Sequence, residues 1–290
     1  GGLGQLCKQR KVNYINGKAS FINSNTLSVA KVDGTIEEVI YEKAILATGS
    51  VPATIPGFPV DSPRVMDSTS ALEINDVPEK LLVIGGGYIG LELSTVYASL
   101  GSKVTVVEML PGLLPGADRD LVAVLERRLK TILDKVYTET KVVELKDTGK
   151  SVVVKLEGKD VTEPEQTFDK VLVSIGRKPV TSGLGLENTK VKVNQRGFVV
   201  VDKQLKTDDP NIYAIGDIVG GAMLAHKAAA EGKVAVEAIL GHKVAFEPNA
   251  IPAVVFTDPE IAWAGLTETE AREKGIKVEV AKFPWAASGR

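Results

Sequence analysis

The chain has 290 residues, 44% of them hydrophobic and 25% charged, with a formal net charge of −2 at pH 7. That length accommodates two domains and part of a third, and the near-neutral charge argues against nucleic acid or a membrane surface as partner. No apolar run is long enough to span a membrane and no signal peptide opens the chain. The single cysteine, Cys7, has no internal disulfide partner and reads as a packing residue, so a reducing, cytoplasmic setting is expected.

In chain order, residues 10–50 read as β-rich. Runs at 12–15, 19–22, 26–29 and 37–41 are separated by turn residues such as Asn16-Gly17 and Asp33-Gly34. The run 44–48 is a buried strand that stops at Gly49-Ser-Val-Pro52. Four prolines within 52–63 mark an irregular connector, and Asp67 is placed to cap a short helix over 67–71.

The stretch 81–92, LLVIGGGYIGLE, carries the strongest signal. Four apolar residues enter Gly85-x-Gly87-x-x-Gly90, a helical pattern follows, and a second apolar run, 104–107, ends in Glu108. The spacing has a mechanism. Gly85 permits the tight turn, Gly87 lets backbone approach a pyrophosphate, and Gly90 lets helix pack on strand. A helix opening near Tyr88 aims free N–H groups and its positive dipole end at the phosphates. Glu108 is suited to the two hydroxyls of an adenosine ribose and repels a 2′-phosphate. No Arg or Lys lies between it and Arg119, so the unit reads as NAD-specific.

Beyond it, residues 118–135 form a helix with Leu121, Leu125, Leu129 and Ile132 or Leu133 at helical spacing. Strands are expected around 142–145, 152–156 and 170–175, then an irregular tract over 177–197, then strands at 199–201 and 212–215. Residues 226–240 are an alanine-rich helix. A strand at 253–256, a capping box Thr267-x-x-Glu270 opening a helix that stops at Gly275, and a strand at 278–281 complete the reading.

Two further patterns stand out. The segments 45–52 and 171–179 each run from a buried strand into Gly and then, three residues on, Pro: Gly49 to Pro52 and Gly176 to Pro179. Read as a repeat, they predict a sister nucleotide-binding domain whose own glycine turn precedes residue 1; two unrelated strand exits are the other reading. The run Ile212-Tyr-Ala-Ile-Gly-Asp217 stops abruptly where doubly wound sheets hold ligands. Asp217 reads equally as an acceptor for a ribityl or ribose hydroxyl and as a simple turn cap.

In order, the motifs Ala47-Thr-Gly49-Ser-x-Pro52, Gly85-Gly-Gly-Tyr-Ile-Gly-Leu-Glu92, Ile175-Gly-Arg177-x-Pro179, Tyr213-Ala-Ile-Gly-Asp217, Met223-Leu-Ala-His226-Lys-Ala and Phe256-Thr-Asp-Pro-Glu260-Ile-Ala-Trp263-x-Gly265 resemble the flavin disulfide reductase family. Glu108, the Met-Leu-Ala-His run and the ending Phe283-Pro-Trp-Ala-Ala-Ser-Gly-Arg290 resemble its branch that oxidises dihydrolipoamide for the 2-oxo acid dehydrogenase complexes. The resemblance implies an α/β protein: a Rossmann-like NAD domain, part of a related FAD domain, and the start of an α+β interface domain. The expected boundaries are 1–75 for the first FAD segment, 76–195 for the NAD domain, 196–247 for the FAD return and 248–290 for the interface domain.

It also implies residue roles. FAD would meet Ala19, Thr48, Gly49, Asp217 and the backbone of Leu224, Ala225 and His226. NAD would meet Gly85, Gly86, Gly87, Tyr88, Ile89 and Gly90, with Glu108 at the ribose and Val142 near the adenine. Glu92, the one catalytic residue expected here, and Gly176 would lie by the nicotinamide. No metal is expected; the implied partners are a lipoyl domain and a second copy of the protein.

The family's redox cysteine pair and first FAD glycine turn normally precede these motifs, and its C-terminal His-Glu acid/base pair would lie beyond Arg290. His226 and His242 do not match that pair and read as structural. Both ends of the chain also lack a starting or terminating element, so it is expected to be a fragment without dihydrolipoamide turnover. The other readings are an NADH oxidase or transhydrogenase of the same fold, or a non-catalytic NAD-binding module.

Overall fold

The computed structural model describes residues 1–288. Two compact units form: Gly1–Val51 with Lys178–Pro248, and Pro52–Arg177 with the segment from Asn249.

The second unit is built on a five-stranded parallel sheet. Its spatial order is Val65–Met66, Lys170–Val173, Lys80–Ile84, Lys103–Val107 and Lys135–Tyr137. After an opening lysine the central strands are apolar except for Thr105, because both faces are covered. Side chains alternate between them. Leu81, Val83, Val104 and Val106 pack against Leu91 and Tyr97 of the helix Tyr88–Ser99 and against Val122, Leu125 and Leu129 of the helix Arg119–Ile132. Leu82, Ile84 and Val107 face an antiparallel sheet of Thr140–Asp147, Val152–Gly158 and Glu165–Phe168 through Leu145, Val154, Leu156 and Phe168. The hairpin Pro252–Val255/Ile261–Ala264 joins the helix side through Val255 and Ile261. The edge strand Val65–Met66 and the helix Ser68–Ala71 belong to this unit, although the sequence reading groups residues 1–75 together.

The first unit holds a three-stranded antiparallel meander, Gly17–Asn23, Thr26–Lys31 and Ile36–Ile40, and a parallel pair, Ala44–Leu46 with Ile212–Ala214. Phe21, Leu46, Leu186, Ile212, Ala214 and Ile218 form its main core, beside the helix Ala225–Ile239.

The mixed α/β class matches expectation; four local readings do not. Residues 12–15 are not a strand: Lys11 has a positive φ of 55°, and Val12 and Tyr14 are left 56% and 77% exposed without a pairing neighbour. Residues 199–201 make one isolated bridge, Val193 to Val199. Residues 278–281 are extended but unpaired, with Val278 and Val280 exposed. In the helix Arg119–Ile132 the buried stripe begins at Val122, not at the exposed Leu121. The ending motif is described only as far as Ser288; Gly289 and Arg290 lie outside the described residues.

Both echoing segments place a glycine at positive φ. Gly49 and Gly176 have φ of 70° and 120°. Val180 N–H donates to Gly49 O at 3.0 Å in the first unit, and Ala53 N–H donates to Gly176 O at 2.9 Å in the second. Each glycine carbonyl is thus taken by the residue that follows the other segment's proline.

Candidate functional site

The strand order of the parallel sheet reverses beside Lys80–Ile84. The chain first proceeds through Lys103–Val107 to Lys135–Tyr137 on one side, then returns to place Lys170–Val173 on the other. Crevices at the carboxyl ends of strands flanking such a reversal are where doubly wound sheets hold ligands. Gly85–Gly90, Glu108 and Gly176 all follow these strand ends.

The glycines there do different work. Gly85 sits at φ 112°, and a Cβ on it would lie 2.5 Å from Ser174 O. A Cβ on Gly90 would collide with Gly85 O, so only glycine lets the helix seat on the turn. On Gly86 a Cβ would meet Leu113 Cδ2 at 2.5 Å. Gly87 has ordinary backbone geometry, and a Cβ there would meet nothing within 4 Å. Its missing side chain leaves a cradle open in front of the helix.

Gly87 is the N-cap of Tyr88–Ser99, and no side chain caps that end. By contrast, Asp67 and Thr267 close their helices with capping boxes; the sequence predicts the box at Thr267 but only a cap at Asp67. A helix start with no side-chain cap beside an open cradle fits a phosphate-bearing ligand.

Glu108 is 9% exposed. Its Oε2 accepts Gly86 N–H and its Oε1 accepts Leu110 N–H, both at 2.7 Å. A carboxylate has about four lone-pair sites; two remain for hydroxyls. Leu114 N–H donates to Gly86 O at 3.0 Å, closing the loop after Glu108 onto the turn. Thr140 N–H donates to Glu108 O at 3.0 Å, which brings the strand carrying Val142 to the same end of the sheet. Ile89, one residue into the helix, packs against the core beneath it. Glu92, one turn into the helix, accepts Phe256 N–H at 2.9 Å, a contact with no signal in the sequence pattern.

In the first unit Gly49 and Asp217 follow the carboxyl ends of the parallel pair. Asp217 Oδ2 accepts Ser50 Oγ–H at 2.5 Å. Thr48 Oγ donates to Val180 O at 2.8 Å, so its hydroxyl hydrogen is spent on backbone. Leu224 is the N-cap of Ala225–Ile239, again without a side-chain cap, and Ala225 and His226 lie exposed in its first turn. An acceptor at a strand end and a helix start with no side-chain cap form a donor–acceptor set of the kind a ribityl-bearing cofactor requires. Ala19 lies in the meander opposite Val29, and no described contact joins it to this set. Ser50, Lys227 and Glu231 escaped the sequence reading, because their partners are distant in the chain or their type marks surface residues.

No metal-binding cluster of three or more His, Cys, Asp or Glu residues occurs among the described residues, and no described helix is long and apolar enough to cross a membrane.

Residues 2–232 match the family model for pyridine nucleotide-disulphide oxidoreductases, and residues 251–290 match the dimerisation domain of that family. The chain is 50% identical to dihydrolipoyl dehydrogenase of Vibrio cholerae and 46% identical to that of Geobacillus stearothermophilus, in each case over its whole length. It spans 61% of the length of both relatives. Among solved structures, the HOCl-induced flavoprotein disulfide reductase RclA from Escherichia coli superposes with a TM-score of 0.86 at 31% identity, covering 98% of this chain and 64% of that one. LpdA from Mycobacterium tuberculosis gives 0.81 at 29% identity, covering 89% and 57%. With the glycine turn at the sheet's switch point and a family match over most of its length, the chain belongs to the pyridine nucleotide-disulphide oxidoreductases.

Proposed function

We propose that the chain is the NAD-binding and part of the FAD-binding region of a dihydrolipoyl dehydrogenase serving a 2-oxo acid dehydrogenase complex. The observation that carries this is the Gly85–Gly90 turn at the strand-order reversal, with Glu108 bonded to Gly86. The 50% identity to a dihydrolipoyl dehydrogenase, against 31% to RclA, favours this branch over another flavin reductase.

FAD and NAD, when bound, supply hydride exchange coupled to a redox disulfide. The protein's part is to bind and orient. Backbone N–H groups from Gly85 to Gly90 hold the pyrophosphate, Glu108 takes the adenosine ribose, and Val142 lines the adenine side. Gly176 and Glu92 border the nicotinamide. Thr48, Gly49 and Asp217 receive the flavin's polar chain, Leu224 to His226 offer backbone at its ring, and Ala19 serves its adenosine end. Residues 1–75 and 196–247 serve FAD, 76–195 serve NAD, and 248–290 begin a homodimer interface. The partner is a lipoyl domain, and the setting expected from the lone Cys7 is cytoplasmic.

Thiol exchange needs a cysteine pair, so the 290-residue chain alone should show no dihydrolipoamide turnover. The test is a visible absorption spectrum followed by NADH titration. NADH should bind below about 1 mM, with NADPH much weaker; absence of NADH binding, or preference for NADPH, refutes the assignment.

A further inference from the structure

The helix Ala225–Ile239 buries two charged residues one turn apart, Lys227 at 6% and Glu231 at 2% exposure. Lys227 Nζ lies 2.5 Å from Glu231 Oε1 as an ion pair, and no acceptor among the described residues meets that ammonium with hydrogen-bond geometry. The other oxygen, Oε2, accepts Gly216 N–H at 2.7 Å. Gly216 is the residue before Asp217 and sits at φ 79°, where a Cβ would press on Ala228 Cβ at 3.3 Å. The Lys227 side chain passes under the second turn: a Cβ on Gly221, at φ 70°, would meet Lys227 Cε at 3.4 Å. One ion pair therefore underlies both the turn that presents Asp217 and the loop that feeds the helix start.

An apolar pair would fill this space at lower desolvation cost. What it could not supply is an acceptor for Gly216 N–H, which the left-handed turn aims into the protein. We propose that Lys227 and Glu231 are positioning residues for the flavin: Glu231 fixes the Gly216–Asp217 turn through that N–H, and Lys227 holds the Glu231 carboxylate in the orientation this requires. The inference rests on the assignment of Asp217 to the flavin site.

The swap K227E/E231K separates positioning from packing. It keeps a buried ion pair but puts a donor where Gly216 needs an acceptor. In the FAD-loaded protein, E231M and K227M should both weaken FAD, read from its absorbance and fluorescence on release. E231M, which leaves Gly216 N–H no acceptor, should also speed amide hydrogen exchange at Gly216 and Asp217. K227R, which keeps the cation, should bind FAD more tightly than K227M. The swap should recover most of the melting temperature lost in the singles while FAD stays at least about tenfold weaker. A swap that recovers FAD affinity as well overturns the proposal, as does E231M with unchanged exchange at Gly216. D217A is the control: if it leaves FAD affinity unchanged, the flavin-site assignment fails, and exchange at Gly216 still decides whether Glu231 holds the turn.

Discussion

The two helix starts without side-chain caps, at Gly87 and at Leu224, use the same physics but are assembled differently. The first draws its parts from one stretch of chain: glycines at 85–90 and an acceptor at Glu108, all within a strand–helix–strand unit. The second gathers Ser50, Asp217 and Glu231 from distant points. A local site is specified by spacing and is easily read; an assembled one is specified by packing. The first should therefore fail through single glycines, and the second through the polar contacts that hold its parts together.

Gly90→Val offers the largest effect. Its side chain collides with the Gly85 carbonyl, so the helix must lift from the turn, with a cost of about 1–3 kcal/mol or more from overpacking. Thermal melting should drop and NADH binding should vanish; a variant that melts and binds like the parent would break the argument that Gly90 is a seat. Glu108→Ala leaves the Gly86 and Leu110 N–H groups unpartnered, for about 1–3 kcal/mol. NADH should weaken, and NADPH should gain only slightly from the lost repulsion, because no cation lies between 109 and 118 to hold its 2′-phosphate.

Within the first unit, Asp209 is fully buried. Burial pushes its carboxyl up, but the Ser24 hydroxyl, the Asn211 and Lys190 N–H groups and the Lys190 charge outweigh that and hold it below its ordinary value. A depressed folded pKa stabilises above the unfolded carboxylate range and is lost as pH falls through the folded value. Acid titration of the melting temperature should thus show a loss beginning below about pH 4 that Asp209→Asn makes shallower. An unchanged slope would remove Asp209 from the account.

Ser50→Ala deletes one hydrogen bond to Asp217 and should cost about 0.5–1.5 kcal/mol, seen as a modest loss of FAD affinity in the loaded protein. The smallest effect on stability belongs to Gly87→Ala. Its Cβ enters open space at ordinary backbone angles, so stability should hold within about 0.5 kcal/mol while NADH weakens. Equal binding by this variant would show that the cradle is not where the phosphates lie.

The glycine turn was legible because its glycines lie at a short fixed spacing and the strands beside it are largely apolar on both faces. The short strands Lys135–Tyr137 and Glu165–Phe168 were not, since their pairing comes from neighbours rather than from their own pattern. The converse error occurred at 12–15 and 278–281, where apolar residues at strand spacing have no partner to pair with. Lys227 and Glu231 were invisible for a different reason. At i, i+4 spacing they resemble any solvent-facing helix pair, and only the fold turns them inward.

The exchange of carbonyls between the two echoing segments bears on how such a chain can be taken apart. Residues 52–177 leave the first unit just after Gly49 and return just before Val180, and those two residues meet across a single 3.0 Å hydrogen bond. At the other end, Ala53 and Gly176 meet at 2.9 Å. The insert is thus a loop closed at its own neck, with departure and return points nearly coincident, which is the geometry that tolerates grafting and excision.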